Sequence, residues 1–350
     1  MAHTREYVPF VDWMKALGML FILYGHVVGW GPLNALPPIN LKQLGVAAFV
    51  FVMGFMLTRE QKPGCRVLID RLVEMYVLAF LLAMVVSAVS VAYTGNLQES
   101  NYLPFLFGLN VLVDFFPANP TTWFVGTYLH ILLFWLLIRR VAITGPLLLV
   151  AVAFEIAVRA VLVHQGLRFV PYMLLPNWLT VFLLGRWYGQ GRRPAWEPGT
   201  GLAALLLAGA VALVVWMGVE LPYVNRLPFD QLRTWSPVSA AVFVSVWVSA
   251  VYVGCTWLLY LVVRPFGTPA WVRFIARNTL MIFLGHMPVF YATQALTKNF
   301  GLSPTARAVL VTVLCLVGLG YVSEWFHRVV DVRALRTRLH GALCNEQPSA

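Results

Sequence analysis

The chain has 350 residues, of which 60% are hydrophobic and only 11% are charged, against about 25% charged in an average soluble domain. That composition excludes an ordinary soluble enzyme and makes this an integral membrane protein. The formal net charge of +11 does not point to nucleic acid, because basic residues in a membrane protein mark its cytoplasmic loops.

A spanning helix needs about 20 mostly apolar residues, and hydropathy predicts about ten: 10–30, 44–57, 72–93, 122–138, 146–164, 172–188, 201–219, 238–263, 274–295 and 305–326. The first is no cleavable signal peptide. It carries Asp12, Lys15 and His26, its flank is weakly charged, and no small-residue cleavage site follows. The second is short and glycine-bearing. Residues 95–121 contain no Lys or Arg but hold an apolar core, 102–116. That core is too short to span comfortably, so a re-entrant or interfacial helix is expected, as a cover over an acceptor site or as a structural surface element. Trp and Tyr near span ends, among them Trp30, Trp187, Tyr188, Trp235 and Trp271, read as interface anchors.

The basic residues set the orientation. With the N-terminus in the cytoplasm, the outer loops hold only Lys42, Arg168, Arg226, Arg233, Lys298 and Arg307, and the inner segments hold nearly all the rest. The expected fold is therefore all-α and polytopic, with both termini cytoplasmic. One transmembrane domain fills residues 1–330, and a basic cytoplasmic tail follows, 331–350. Cys65, Cys255, Cys315 and Cys344 show no metal spacing and no C-x-x-C, so neither a disulfide nor a metal site is implied.

The polar residues inside the spans carry the chemistry. A Lys at the bilayer centre costs roughly 2.5–3.5 kcal/mol or more, so it faces the bundle interior or a wet cavity. Lys15 and His26 are eleven residues apart, just over three helical turns, so they share one face about 16 Å apart along the axis. Asp12 lies near that face too. A neutral imidazole such as His26 can take a proton from a hydroxyl near pH 7; alternatively it is a core His bonded to a carbonyl. Lys15 contacts an anionic substrate group or pairs with Asp12, and both can hold. Glu155 and Arg159, at i,i+4, read as an intrahelical ion pair whose arginine also has capacity for a ligand. His130 and His286 are further candidates. Asn278 and Thr279 read as helix–helix partners, and Glu324 as a partner for Arg328.

Five segments in order resemble the membrane acyltransferase-3 family, enzymes that acylate hydroxyls of sugars, polysaccharides and other cell-surface molecules. VDWMKALGMLFILYGHV resembles the family opening, with Lys15 and His26 at its basic-x10-His spacing. Lys in place of the usual Arg resembles the branch that includes fucose O-acetylases. FVFVMGFMLTRE resembles the Phe-rich second span, TWFVGTYLH the Trp-led fourth, and RNTLMIFLGHMPVFY the segment that ends His-x-Pro at His286. Glu324 resembles a common acidic residue in the last core span. Two departures stand out. The family often has Arg-x-x-Arg entering the third span, where this chain has Arg71 and Glu74. The Glu that one branch carries five residues after the Trp is Tyr128 here. No esterase-like domain follows the spans, which disfavours the branch that uses one.

The resemblance implies a donor from the cytoplasm, an acyl-coenzyme A with acetyl as the default, and no metal. It implies an acceptor hydroxyl on a carbohydrate or lipid-linked molecule at the other face of a bacterial inner membrane. Arg66, Arg71 and Lys15 would attract the donor's phosphates. His26 would act as base or acyl carrier. Arg159, His286 and Trp123 would serve the acceptor or the developing oxyanion. The rival class is a transporter or flippase for a lipid-linked or acidic solute, which also needs intramembrane charge.

Overall fold

The computed structural model describes residues 7–27, 41–95, 103–112, 120–167, 169–217, 219–220, 223–224, 234–297 and 300–344. In chain order the helices are α1 (Pro9–Val27), α2 (Leu41–Thr58), α3 (Gly64–Thr94), the single turn α4 (Leu103–Leu106), α5 (Trp123–Ile138), α6 (Gly145–His164), the single turn α7 (Val170–Met173), α8 (Leu179–Gly189) and α9 (Thr200–Met217). A two-residue antiparallel pair follows, β1 (Val219–Glu220) with β2 (Tyr223–Val224). The chain then returns to helix in α10 (Pro237–Val263), α11 (Ala270–Thr297), α12 (Pro304–Val313), α13 (Leu319–Val329) and α14 (Val332–Leu343).

Seven of these segments are long and apolar enough to cross a membrane: α1, α2, α3, α6, α10, α11 and the run from α12 to α13. Helix α5 is apolar but shorter, as is the stretch of α9 from Thr200 to Val214. The sixth expected span is broken into α7, a tight turn at Leu175–Trp178 and α8. Pro171 and Pro176 sit at the start of the two short pieces, where their missing N–H groups are tolerated but a continuous helix is not. The ten expected segments thus divide into seven of spanning length, two shorter helices and one interrupted by proline.

Helix α2 is the axis of the bundle and is buried along almost its whole length. It lies against α1 on one side and α8 on the other, with glycines at both contacts. A Cβ on Gly45 would run into the Gly18 carbonyl, and one on Gly54 into the Phe182 carbonyl. Small residues let helix backbones approach where lipid supplies no hydrophobic drive for association. Aromatic side chains close the same core, with Phe10 edge-on to Phe55 and to Tyr260 at 4.8 and 4.9 Å.

The segment between α3 and α5 is only partly among the described residues. There it forms α4 and a short turn at Leu109–Val111. Tyr76 donates to the Leu106 carbonyl at 3.0 Å, and Phe105 is buried against Tyr76 and Phe80. Leu103, Phe107 and Leu109 stay exposed, as an element lying at a lipid interface would leave them.

Beyond the last span the expected tail is a helix. Helix α14 docks on α3 through Arg336 to Glu74 at 2.5 Å and His340 to Asp70 at 3.2 Å. A disulfide then joins Cys344 to Cys65, with Cα atoms 5.9 Å apart. This overturns the expectation of no disulfide. That expectation rests on cytosolic thiols being kept reduced and on the absence of a short spacing; 279 residues separate the two cysteines, so only the fold brings them within bridging distance. Peptide mapping of the full chain under non-reducing conditions, after free thiols are blocked, should recover the Cys65 and Cys344 peptides linked. Blocked thiols at both positions would contradict the bridge.

Candidate active site

Two cavities lie end to end inside the bundle. The larger, about 670 Å³, is lined by Lys15 of α1, Phe49 and Met53 of α2, Arg71 and Glu74 of α3, Phe124 and Tyr128 of α5, Thr279, Leu280 and Phe283 of α11, and Arg333, Arg336 and His340 of α14. The smaller, about 260 Å³, is lined by Ile22 and His26 of α1, Lys42 and Val46 of α2, Trp123 of α5, Tyr172 of α7, Phe283, His286 and Met287 of α11, and Thr121. Helices α1, α2, α5 and α11 therefore line both, each passing from one cavity to the other along its own face.

Lys15 and His26 of α1 face this interior, whereas Asp12, the other expected polar residue of this helix, lines neither cavity. Lys15 is half-buried within electrostatic reach of Arg71, Asp12 and Glu74. Asp12 does not clamp the ammonium; its carboxylate accepts from the Tyr7 hydroxyl at 2.5 Å. Arg71 and Tyr128 both line this cavity, within electrostatic reach of each other. Glu74, at the second position of the Arg-x-x-Arg pattern, binds His327 at 2.9 Å and Arg336 at 2.5 Å. It ties α13 and α14 to α3 and brings new cations, Arg333 and Arg336, to the cavity.

In the smaller cavity the His26 ring lies 5.1 Å from the His286 ring. His286 is 2% exposed, and its Nδ1 is 2.6 Å from the Phe283 carbonyl. A carbonyl only accepts, so Nδ1 carries the hydrogen and Nε2 of the neutral ring keeps its lone pair. Nε2 is buried and meets no hydrogen-bond partner among the described residues. The local backbone is built for this. Pro288 lies inside α11 and supplies no N–H to the carbonyl four residues back. The Thr121 hydroxyl donates to that carbonyl, on Leu284, at 3.0 Å. Opposite His286 the helix between α12 and α13 widens into a π turn at Leu314–Gly318, and the Cys315 thiol points at the His286 carbonyl, 3.9 Å away. Such turns recur at functional sites. Trp123 and Tyr172 present a tilted aromatic pair at 4.7 Å.

Other expected site residues lie elsewhere. Arg66 is at the start of α3 and lines neither cavity. Arg159, 1% exposed, is enclosed. It donates to Glu155 at 2.6 Å, to the Asn177 side chain at 2.7 Å, to Ser249 at 2.7 Å and to the Ser245 carbonyl at 2.8 Å. Glu155 is shared with Ser249 and the Thr180 amide. The network ties α6, α8 and α10 together and leaves the guanidinium no capacity for an acceptor. His130 is partly buried beside Gly108 and lines neither cavity. Asn278 and Thr279 donate within their own helix, to Phe274 and to Ile275 and Ala276, and Glu324 pairs with Arg277 rather than Arg328. The sequence reading missed Phe49, Phe124 and Phe283, which look like ordinary core residues, and the cations of α14. The one available signal for Phe283 is its place one turn before His286.

A helical bundle with one cavity bordered by cations and an adjoining one bordered by paired imidazoles defines an integral membrane protein whose site lies among its helices. The acyltransferase domain of the acyltransferase-3 family matches residues 8–323. The chain belongs to that family and is a membrane acyltransferase. Among curated proteins and solved structures none matches it. Helix α14 lies beyond the matched segment.

Arg159→Met leaves the Glu155 carboxylate buried without its cation, a loss of about 3–5 kcal/mol. Thermal unfolding in detergent should show a clearly lowered midpoint. An unchanged midpoint together with lost activity would make Arg159 a substrate contact instead.

Proposed function

We propose that this protein transfers an acyl group, acetyl by default, from a cytoplasmic acyl-coenzyme A to a hydroxyl of a sugar, glycan or lipid-linked acceptor at the opposite face of a bacterial inner membrane. The observation that carries the reading is the His26–His286 pair at 5.1 Å, in a cavity adjoined through Phe283 by one holding Lys15 and Arg71. The two cavities suit the two substrates. Lys15, Arg71, Arg333 and Arg336 offer charge-assisted bonds to the donor's phosphates. Trp123 and Tyr172 offer aromatic faces to a sugar ring, with few polar groups around them, in the manner of small-ligand sites. In this reading ten segments cross the membrane, the shorter ones included, and both termini face the cytoplasm.

His26 takes the acceptor's hydroxyl proton as the oxygen attacks the thioester carbon. The new C–O bond forms, the C–S bond breaks, and the thiolate leaves with the proton from the imidazolium, as free coenzyme A. The Nε2 lone pair of His286 faces the same space and orients the His26 ring or the acceptor hydroxyl. Positioning supplies much of the rest, because two substrates that enter from opposite ends meet at one point.

The test is ester formation and coenzyme A release by the purified chain given acetyl-coenzyme A with and without sugar acceptors. Release coupled to ester formation distinguishes a transferase from a transporter. His26→Ala should lower transfer about 10²–10⁴-fold in a protein that still elutes as one folded species; near-normal transfer would remove His26 from the chemistry. Lys15→Ala should raise KM for the donor about tenfold, the equivalent of about 1.4 kcal/mol, and leave KM for the acceptor where it was. An unmoved donor KM contradicts the assignment of Lys15.

A further inference from the structure

The two cavities meet at one aromatic side chain. Phe283 lines both and is 5% exposed. Its ring packs edge-on to Phe49, with centroids 6.1 Å apart, and lies 5.0 Å from Phe124. On its other side it is 5.8 Å from the His286 ring. These rings come from three different helices, α2, α5 and α11, at the same level of the bundle.

We propose, resting on the acyl transfer read above, that Phe283 with Phe49 and Phe124 forms the septum between the donor and acceptor compartments and selects which acyl groups reach His26. Lys15 and His26 are about 16 Å apart along α1. A donor held by its phosphates near Lys15 therefore has to pass its acyl end through the level of Phe283. Reaction also needs the thioester carbon within about 3–3.5 Å of the acceptor oxygen, and that oxygen lies beyond the ring. A slim chain passes when the ring turns aside; a branched or long acyl group needs more room.

With the ring across the passage, the acceptor side is cut off from water entering the donor cavity. That matters because water can replace the alcohol: its oxygen forms the C–O bond, the C–S bond breaks, and the products are a carboxylic acid and a thiol. Excluding water is a known role of closed sites. The support for His286 comes from the Phe283 backbone carbonyl, so replacing the ring keeps that hydrogen bond. The ring's effect on passage can therefore be separated from its neighbour's support.

The experiment uses the purified full chain with acetyl-, butyryl- and hexanoyl-coenzyme A, a sugar acceptor, and direct binding of coenzyme A. One methylene in an apolar pocket is worth about tenfold or more in discrimination. On that scale Phe283→Ala should raise the ratio of butyryl to acetyl transfer about tenfold and speed thioester hydrolysis without acceptor. Phe283→Trp should lower acetyl transfer about tenfold while coenzyme A binds as tightly as to the wild type. An unchanged chain-length ratio and unchanged hydrolysis in Phe283→Ala overturn the proposal, as does parallel loss of binding and transfer in Phe283→Trp. If the wild type transfers from acyl-coenzyme A and both variants match it, the septum alone fails; if the wild type transfers from none of the donors, the acyl-transfer reading fails with it.

Discussion

An ammonium and an imidazole on one apolar helix cannot be left to lipid, and the arrangement of the bundle follows from that constraint. Charge and unpaired polar groups in the hydrocarbon layer cost several kcal/mol each unless protein or a wet cavity receives them. Helix α1 meets the constraint by turning its Lys15–His26 face inward, toward α2 and α11. There the two side chains open into separate cavities instead of pairing with each other. Glycines let α2 approach both α1 and α8 at backbone contact, so the wall behind this face leaves no room for a Cβ at Gly45 or Gly54. The polar face thus lies between α2 and α11.

Helix α11 is the less regular partner, and its irregularities cluster where chemistry is expected. Pro288 frees a carbonyl that Thr121 then satisfies. A π turn lies opposite His286, and the His286 ring donates from Nδ1 to the Phe283 carbonyl. The contrast with the Glu155–Arg159 network is instructive. Both places bury ionisable groups, but the network saturates the Arg159 guanidinium with partners from α6, α10 and the turn before α8, and Arg159 lines neither of the two cavities. The imidazole pair borders open volume and keeps a buried lone pair free. The first arrangement ties helices together, and the second leaves an imidazole nitrogen unpaired beside a cavity.

The sequence was informative where a residue type is out of place in lipid. Lys15, His26, His286 and Arg71 stand out on those grounds or through motif resemblance, and the fold places all four at the two cavities. Trp123, singled out only by the motif, lies there too. Arg159 stood out for the same reason but is enclosed by its own hydrogen-bond partners; sequence cannot show whether a buried cation is already saturated by neighbours such as Asn177 and Ser249. Helices were legible from apolar length, but the break between α7 and α8 was not, although Pro171 and Pro176 were its visible cause. Phe283 was illegible, since one phenylalanine among 23 carries no mark of standing between two cavities. The Cys65–Cys344 bridge and the cations of α14 depend on a helix folding back across the chain, which no local pattern announces.

In the transfer we propose, the acyl group passes through the two adjoining cavities from a donor on one side of the membrane to an acceptor on the other. The most direct measurement uses sealed proteoliposomes with radiolabelled acetyl-coenzyme A confined to one compartment and the sugar acceptor to the other. The account predicts labelled ester in the acceptor compartment for one orientation of the protein, with coenzyme A remaining on the donor side. Acylation only when donor and acceptor share a compartment would contradict it.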